Sequence, residues 1–449
     1  MIPNSKASSG AVLAPGPQGL PIIGNYFDLR GDLLNILVGM HQQYGDLIQY
    51  RVGPYQFYNL NHPDYIRHVL VDERDNYVKD GRSSQQIRLL SGQSLLTDNG
   101  ERWRKKRDLL QDTFRVNTVK QFKNIVVDEA NNLIKQWGLL KGPIDIHAAM
   151  MHITYQVIGK SLMSTDLAHT TEQVAESMSI SLKHLYQRIF GFAFPLKIRT
   201  PGNQRFIHER KKLYNLVDEI LRKRRTKPGQ HNDLLDEMIA VHRAKPAFND
   251  AWLRDEVVTL LLAGHETTAN ALTWVWYLLS SHPEIEQQVY EEIMQHFPGS
   301  IDDVNKLSEL RFTHMVFSEA IRLYPPIWSI ERNAVNEDMI GGYQIKEKAT
   351  VFISIYTLHR HPEFWQEPEK FKPERFETRR TSSDAYMPFG LGQRMCLGKN
   401  FAIQEAMIIL IILMQQCRLT RADNKPVIPK PGITLRVRDK LMMNINWRN

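Results

Sequence analysis

One stretch constrains the fold more than any other. Residues 253–280 contain VVTLLLAGHETTANALTWVWYLL, apolar nearly all round apart from His265, Glu266, Thr267, Thr268 and Asn270. At 1.5 Å per residue, about 28 residues make a helix roughly 42 Å long, enough to cross a whole domain. A helix without a polar face belongs in the interior, so this one is expected at the centre of the molecule. Ser281-His282-Pro283 ends it, because proline clashes with the preceding turn and disfavours α geometry in the residue before it. The polar cluster in mid-run is costly there unless each group has a partner or a task.

The chain around this helix reads as mainly α. Pro15, Pro17, Pro21 and Gly24 mark a Pro/Gly-rich opening segment, 1–24. Two β-like runs follow, 47–52 and 56–60, parted by Gly53-Pro54, a hairpin signal. From His62-Pro63 to about residue 331 the period is helical, with runs at 119–137, 166–189, 205–225 and 312–323. Strand signals return at 350–355 and 433–437. No repeat and no long linker appears, so we expect one domain, 1–449. It has a large helical body (71–329) with a long central helix, and a small β-rich subdomain from 25–70 and 330–449.

Composition narrows the class. With 449 residues, 42% hydrophobic and 24% charged, the chain is neither disordered nor a small scaffold. Lys plus Arg number 57 against 49 Asp plus Glu, a net +8 that suits an acidic protein, a nucleic acid or an anionic membrane. The basic clusters around Trp103 and at 222–225 are not interleaved with aromatics, so nucleic acid is not expected. The first residues hold neither a membrane span nor a signal core. Two cysteines, Cys396 and Cys417, make no disulfide framework and fit a reducing compartment. We therefore expect a cytoplasmic monomer without a stable membrane anchor.

Cys396 lies in Phe389-Gly390-Leu391-Gly392-Gln393-Arg394-Met395-Cys396-Leu397-Gly398, just before a helical run. A thiolate there is stabilised by the helix dipole and free backbone N–H groups, which suits a metal ligand. Gly392 and Gly398 would admit a flat cofactor, Phe389 would cover one side of the sulfur, and Arg394 could pair with an acid on the cofactor's rim. A buried cysteine at a Gly-rich turn is the other reading of the same residues.

The pattern Phe389-x-x-Gly392-x-Arg394-x-Cys396-x-Gly398 resembles the haem-binding signature of the cytochrome P450 haem-thiolate monooxygenases. Under independent composition its Gly and Phe spacing around a cysteine arises by chance roughly once in 4,000 such chains. Other motifs follow in the family's order along nearly the whole chain. The resemblance implies the cytochrome P450 fold and haem b, with Cys396 on the iron. It implies that Ala263-Gly264-His265-Glu266-Thr267-Thr268 is the oxygen-activation segment, with Glu266 relaying protons and the Thr267 hydroxyl near the distal oxygen. The alternative for Thr267 is a bond back to the carbonyl of Ala263. Glu319, Arg322 and Arg375 would form a buried ion network that braces the haem-side loop. Trp103, Arg107, Arg332 and Arg394 would hold the propionates.

The activity so implied is insertion of one oxygen atom of dioxygen into a C–H or C=C bond of a lipophilic small molecule. No dinucleotide fingerprint or fused reductase is seen, so electrons would come from a separate ferredoxin or flavodoxin-type donor, docking near Lys105 and Lys106. A peroxide-driven peroxygenase or isomerase and a non-catalytic haem-thiolate sensor are the rival readings. Leu96, Ala263, Ile327, Trp328, Ser329, Ile433 and Leu435 match the family's pocket wall. Phe190, Phe192 and Phe194 fall where the family has a mobile lid, or else form an ordinary packed loop. A charged anchor could sit at 82–93 or near Arg188. A long-chain aliphatic acid is the first expectation for the substrate, and a terpenoid or polyketide the second.

Overall fold

The computed structural model describes residues 12–448 apart from 166, 168–170, 192, 227, 228, 230, 232, 245–248 and 378–384. Phe192, Asp166 and the first eleven residues of the opening segment therefore lie outside the described residues. The chain divides into two compact units. One comprises Met1–Gly81, Ser329–Pro368 and Ser383–Met395; the other comprises Arg82–Trp328, Glu369–Ser382 and Cys396–Asn449.

The smaller unit is built on a five-stranded sheet that gathers segments distant in sequence. Leu47–Val52 and Tyr55–Leu60 form an antiparallel hairpin with Leu47 opposite Leu60 and Val52 opposite Tyr55. Gly53 makes the turn at φ +58°, which a residue with a Cβ adopts only under strain. Tyr55–Leu60 then pairs in parallel with Thr350–Ser354, and that strand pairs antiparallel with Ser329–Ala334. Thr350–Ser354 is buried along its whole length, as its apolar run requires of a strand covered on both faces. Tyr77–Val78 closes the edge beside Ser329–Ala334. Helix Leu33–Tyr44 packs on this sheet, Asp32 capping it by accepting from the amide of Asn35.

The larger unit is helical around Asp250–Ser281, a helix of 32 residues. Asn249 caps its start by accepting from the Trp252 amide at 2.9 Å, and the next helix begins at Pro283. Helix Ile146–Met163 packs against it so closely that a Cβ at Gly264 would meet Ile158 Cδ1 at 2.5 Å. A second helix, Lys399–Gln416, is buried at every position from Ala406 to Met414 and needs no polar face there. Helices Gly100–Leu110, Lys123–Gly138, Thr171–Phe190, Pro201–Thr226 and Arg311–Leu323 also belong to this unit. The run expected from 119 is broken: residue 119 ends a four-residue α-helix, Val116–Val119, a 3-10 turn follows at Lys120–Phe122, and the long helix runs from Lys123. The run expected from 205 starts earlier, at Pro201, because proline suits the first helical turn. Among the described residues no helix is long and apolar enough to cross a membrane.

Candidate functional site

In the helical unit Cys396 sits three residues before helix Lys399–Gln416, whose N-cap is Gly398. The residue as a whole is exposed. The protein mass around the sulfur dominates: burial raises the thiol pKa, while the Gly398 amide and the charges of Arg107 and Lys399 lower it. These three donors stabilise an anion at the sulfur and suit a thiolate ligand. A Cβ at Gly398 would meet nothing nearer than Phe114 Cε1 at 4.0 Å, so no protein atom demands a glycine there. Trp103 and Arg107 lie one turn apart on helix Gly100–Leu110, the tryptophan buried and the arginine half-buried. Desolvation lowers the Arg107 pKa and the charge of Cys396 raises it, which places the guanidinium within electrostatic reach of the sulfur.

In the smaller unit the loop 389–395 carries the rest of the motif. Phe389 is half-buried, and Gly392–Arg394 forms a 3-10 turn. Gly392 has a requirement of its own beside the room it was expected to leave for a cofactor. Its φ is +69°, and a Cβ there would lie 2.3 Å from the carbonyl oxygen of Leu70, so the chain's own backbone requires the glycine. Arg332 is buried on strand Ser329–Ala334, donates to the Glu331 carbonyl at 2.8 Å, and has its pKa pushed down to about 10 by burial. Lys79 joins it. Desolvation first, then the charges of Arg332 and Arg394, hold the Lys79 amine well below its ordinary range, with Glu331 opposing. The Lys79 amine and the guanidinium groups of Arg332 and Arg394 thus gather in this unit, a set of N–H donors chemically matched to carboxylates. Lys79 escaped the sequence reading because nothing but its place after the short strand Tyr77–Val78 marks it.

The central helix is accessible near its middle. Ala263 is exposed and Thr267 half-buried, one turn apart, midway along a helix that is mostly buried. The Thr267 hydroxyl donates to the Ala263 carbonyl at 2.8 Å, which leaves its oxygen lone pairs to accept from a ligand or water. Beside it Glu266 is buried and accepts from the Thr434 hydroxyl at 2.7 Å, while Asn270 donates to Thr434 at 3.1 Å. Burial raises the Glu266 pKa, with Thr434 and Arg436 opposing. Such a carboxyl is poised to exchange a proton. Thr434 lies 168 positions from Glu266 and carried no signal in the sequence. Gly264 is required by packing, since the space a Cβ would occupy is filled by Ile158.

The assigned pocket residues divide. Leu96, Ile327 and Ile433 are half-buried, like Ser329 in the smaller unit. Leu435 and Trp328 are almost wholly covered, and the Trp328 indole N–H donates to the Gly432 carbonyl at 2.9 Å. These two support the wall and do not face open space. Phe190 stacks on Trp328 at 6.1 Å and Phe194 is exposed. Arg188 is buried and donates to Gln86 at 2.6 Å, the Phe194 carbonyl at 2.6 Å and Asn203 at 3.3 Å. Glu319 and Arg322 are fully buried and bidentate at 2.6 and 2.8 Å, and Arg375 reaches Glu319 at 3.0 Å. Lys106 overturns an expectation: it is buried against Asp98 at 2.8 Å and Glu256 at 3.2 Å, so only Lys105 of that pair is exposed for docking.

The cytochrome P450 family model matches residues 14–443, and the chain belongs to that family. It is similar to cyclooctat-9-en-7-ol 5-monooxygenase of Streptomyces melanosporofaciens, 31% identical over 93% of this chain and 90% of that one. It is also similar to pentalenene oxygenase of Streptomyces avermitilis, 29% identical over 93% and 94% respectively. The bifunctional cytochrome P450/NADPH--P450 reductase 1 of Bacillus subtilis is 27% identical, over 95% of this chain and 41% of its own length. The protein is a haem-thiolate monooxygenase, an oxidoreductase that incorporates oxygen, and its cofactor is haem, held through iron by a cysteine thiolate.

Proposed function

We propose that this monooxygenase oxidises an uncharged, cyclic, terpenoid-like molecule, with Cys396 as the iron ligand and a separate ferredoxin or flavodoxin-type protein as electron donor. The observation that carries the reading is the accessible face at Ala263 and Thr267, with the Glu266 acid directly behind it. When bound, haem supplies dioxygen activation and oxygen insertion. The residues do the rest. Cys396 provides the thiolate, with Arg107 and the Gly398 amide favouring its charge. In the helical unit Trp103 and Arg107, and in the smaller unit Arg332, Arg394 and Lys79, are N–H donors of the kind that would hold haem carboxylates. Phe389 and Gly392 shape the loop before Cys396, and Gly398 leaves room beside it. Glu266, held in place by the Thr434 hydroxyl that Asn270 in turn orients, carries the exchangeable proton toward Thr267, whose hydroxyl orients the last donor.

For the substrate, two observations favour a cyclic hydrocarbon skeleton over the long-chain acid of the sequence reading. The two relatives from Streptomyces carry names built on cyclooctat-9-en-7-ol and pentalenene. The cations in the segments where a carboxylate anchor was expected are committed elsewhere: Arg188 to Gln86, Asn203 and the Phe194 carbonyl, Arg82 to the Arg188 carbonyl, and Arg88 to the Thr97 carbonyl. Leu96, Ala263, Ile327 and Ile433 then offer an apolar wall. We read the chain as one cytochrome P450 domain, supported by a family model that runs through both units.

The test is a spectral titration of the holoprotein with cyclic terpene alcohols and hydrocarbons, and with long-chain fatty acids, followed by turnover with a ferredoxin system and NAD(P)H. A shift and a hydroxylated or epoxidised product from the cyclic compounds are expected. Fatty acids binding tightly while the cyclic compounds give no shift would overturn the substrate class.

A further inference from the structure

The segment 92–98 carries Leu96, yet it is a loop, and something must fix where that side chain stands. The start of the central helix does so. Asp255 Oδ2 accepts from the Gln93 amide at 2.9 Å, and both oxygens of Glu256 accept from the Leu95 amide, at 2.9 and 3.0 Å. Lys106 enters from helix Gly100–Leu110, buried, with its amine on Asp98 and Glu256 and donating to the Gln93 carbonyl. The contact at Gly92 is closer still: its φ is +55°, and a Cβ there would lie within 2.1 Å of the Asp255 carboxyl. Two adjacent carboxylates on one helix therefore grip two alternate peptide N–H groups of one loop.

The geometry assigns to Glu256 the role of a positioning residue for specificity, holding the Leu95 amide so that Leu96 stands at a fixed place along the central helix. Ala263 is seven residues, or two turns, further along, about 10.5 Å. A shift of the loop relative to Glu256 is thus a shift of Leu96 relative to the accessible face at Ala263 and Thr267. This assignment rests on the reading of that face as the substrate pocket.

The grip is also sensitive to pH. Burial raises the Glu256 pKa to about 7, against the lowering effects of Lys106 and the Leu95 amide; Asp98 adds to the rise. The other ionisable groups around the cluster are Asp255, whose pKa burial also raises, Arg254 and Tyr214 beside Asp255, and Arg102, which reaches Asp98 at 3.3 Å. Below about pH 7 Glu256 takes a proton. The bond from Leu95 then loses its charge assistance, which makes such bonds roughly twice as strong. Lys106 keeps Asp98.

Two measurements test this. In the wild-type holoprotein, amide hydrogen exchange at Leu95, corrected for its intrinsic pH dependence, should show protection falling about fivefold between pH 8 and pH 6. In Glu256→Gln the protection should stay at the low level at both values. The second probe is the spectral affinity for imidazole and for 4-phenylimidazole, a small ligand and a bulky one. Glu256→Gln at pH 8 should change only the affinity for the bulky ligand, and match wild type at pH 6. Leu95 protection that ignores pH in the wild type overturns the proposal, as does an equal effect on both imidazoles in the variant. If the variant does not fold, the wild-type exchange experiment decides alone. A protein that binds no terpenoid would defeat the substrate assignment and leave these two readouts standing.

Discussion

Replacing Glu319 by alanine isolates the ion network from the rest of the molecule. Its carboxylate accepts from Arg322 through two bonds, from Arg375 at 3.0 Å and from the Lys372 amide at 3.0 Å. Arg322 has no accessible surface, so Glu319→Ala strands a charge that water cannot reach. Removing one partner of a buried pair costs about 3–5 kcal/mol. At about 2.1 cal/mol/K per residue, a chain of this length has an unfolding entropy of about 0.9 kcal/mol/K, so the melting temperature should fall by about 3–5 °C. The assay is thermal unfolding by circular dichroism at a fixed scan rate. A paired Glu319→Leu, Arg322→Met variant should recover part of the loss, because it removes the fully buried pair together, although Arg375 and the Lys372 amide still lose their bonds to Glu319. A fall of under 1 °C in Glu319→Ala would refute the view that this network is a single buried electrostatic unit.

Thr267→Ala should keep NAD(P)H consumption while diverting electrons into peroxide, lowering product per electron several-fold. Full coupling there would reduce the hydroxyl to its bond with Ala263. Gly392→Ala should destabilise the protein by about 2 kcal/mol or more in urea, given its positive φ and the Leu70 carbonyl in the way. Gly398→Ala, with open space at that position, should leave the melting temperature of the haem-free protein within about 1 °C but lower the haem bound per chain. Equal behaviour of the two glycine variants would contradict the separate reasons given for them.

What the sequence made legible was local. The spacing around Cys396, the pairing of Glu319 with Arg322 at i, i+3, and the all-round apolar helix each lie within a few turns of chain. The missed contacts join distant segments. Thr434 meets Glu266 only because the hairpin Pro429–Pro431 and Leu435–Val437 lies against the central helix. Strand Ser329–Ala334 was missed since Ser329, Glu331, Arg332 and Asn333 give it no apolar alternation. Lys106 could have been placed correctly. It follows Trp103 by three and precedes Leu110 by four, which puts it on the buried face of its helix while Lys105 points away. Treating a run of basic residues as one surface ignored that period.

The central claim is that Cys396 holds the iron, and the carbon monoxide complex of the reduced protein tests it most directly. Wild type should give the strongly red-shifted band that a thiolate ligand produces. Cys417→Ser should give the same band, since Cys417 is buried with its thiol donating to the Leu413 carbonyl at 3.3 Å. Cys396→Ser should lose it. A Cys396→Ser protein that keeps the red-shifted band unchanged would contradict the account at its root.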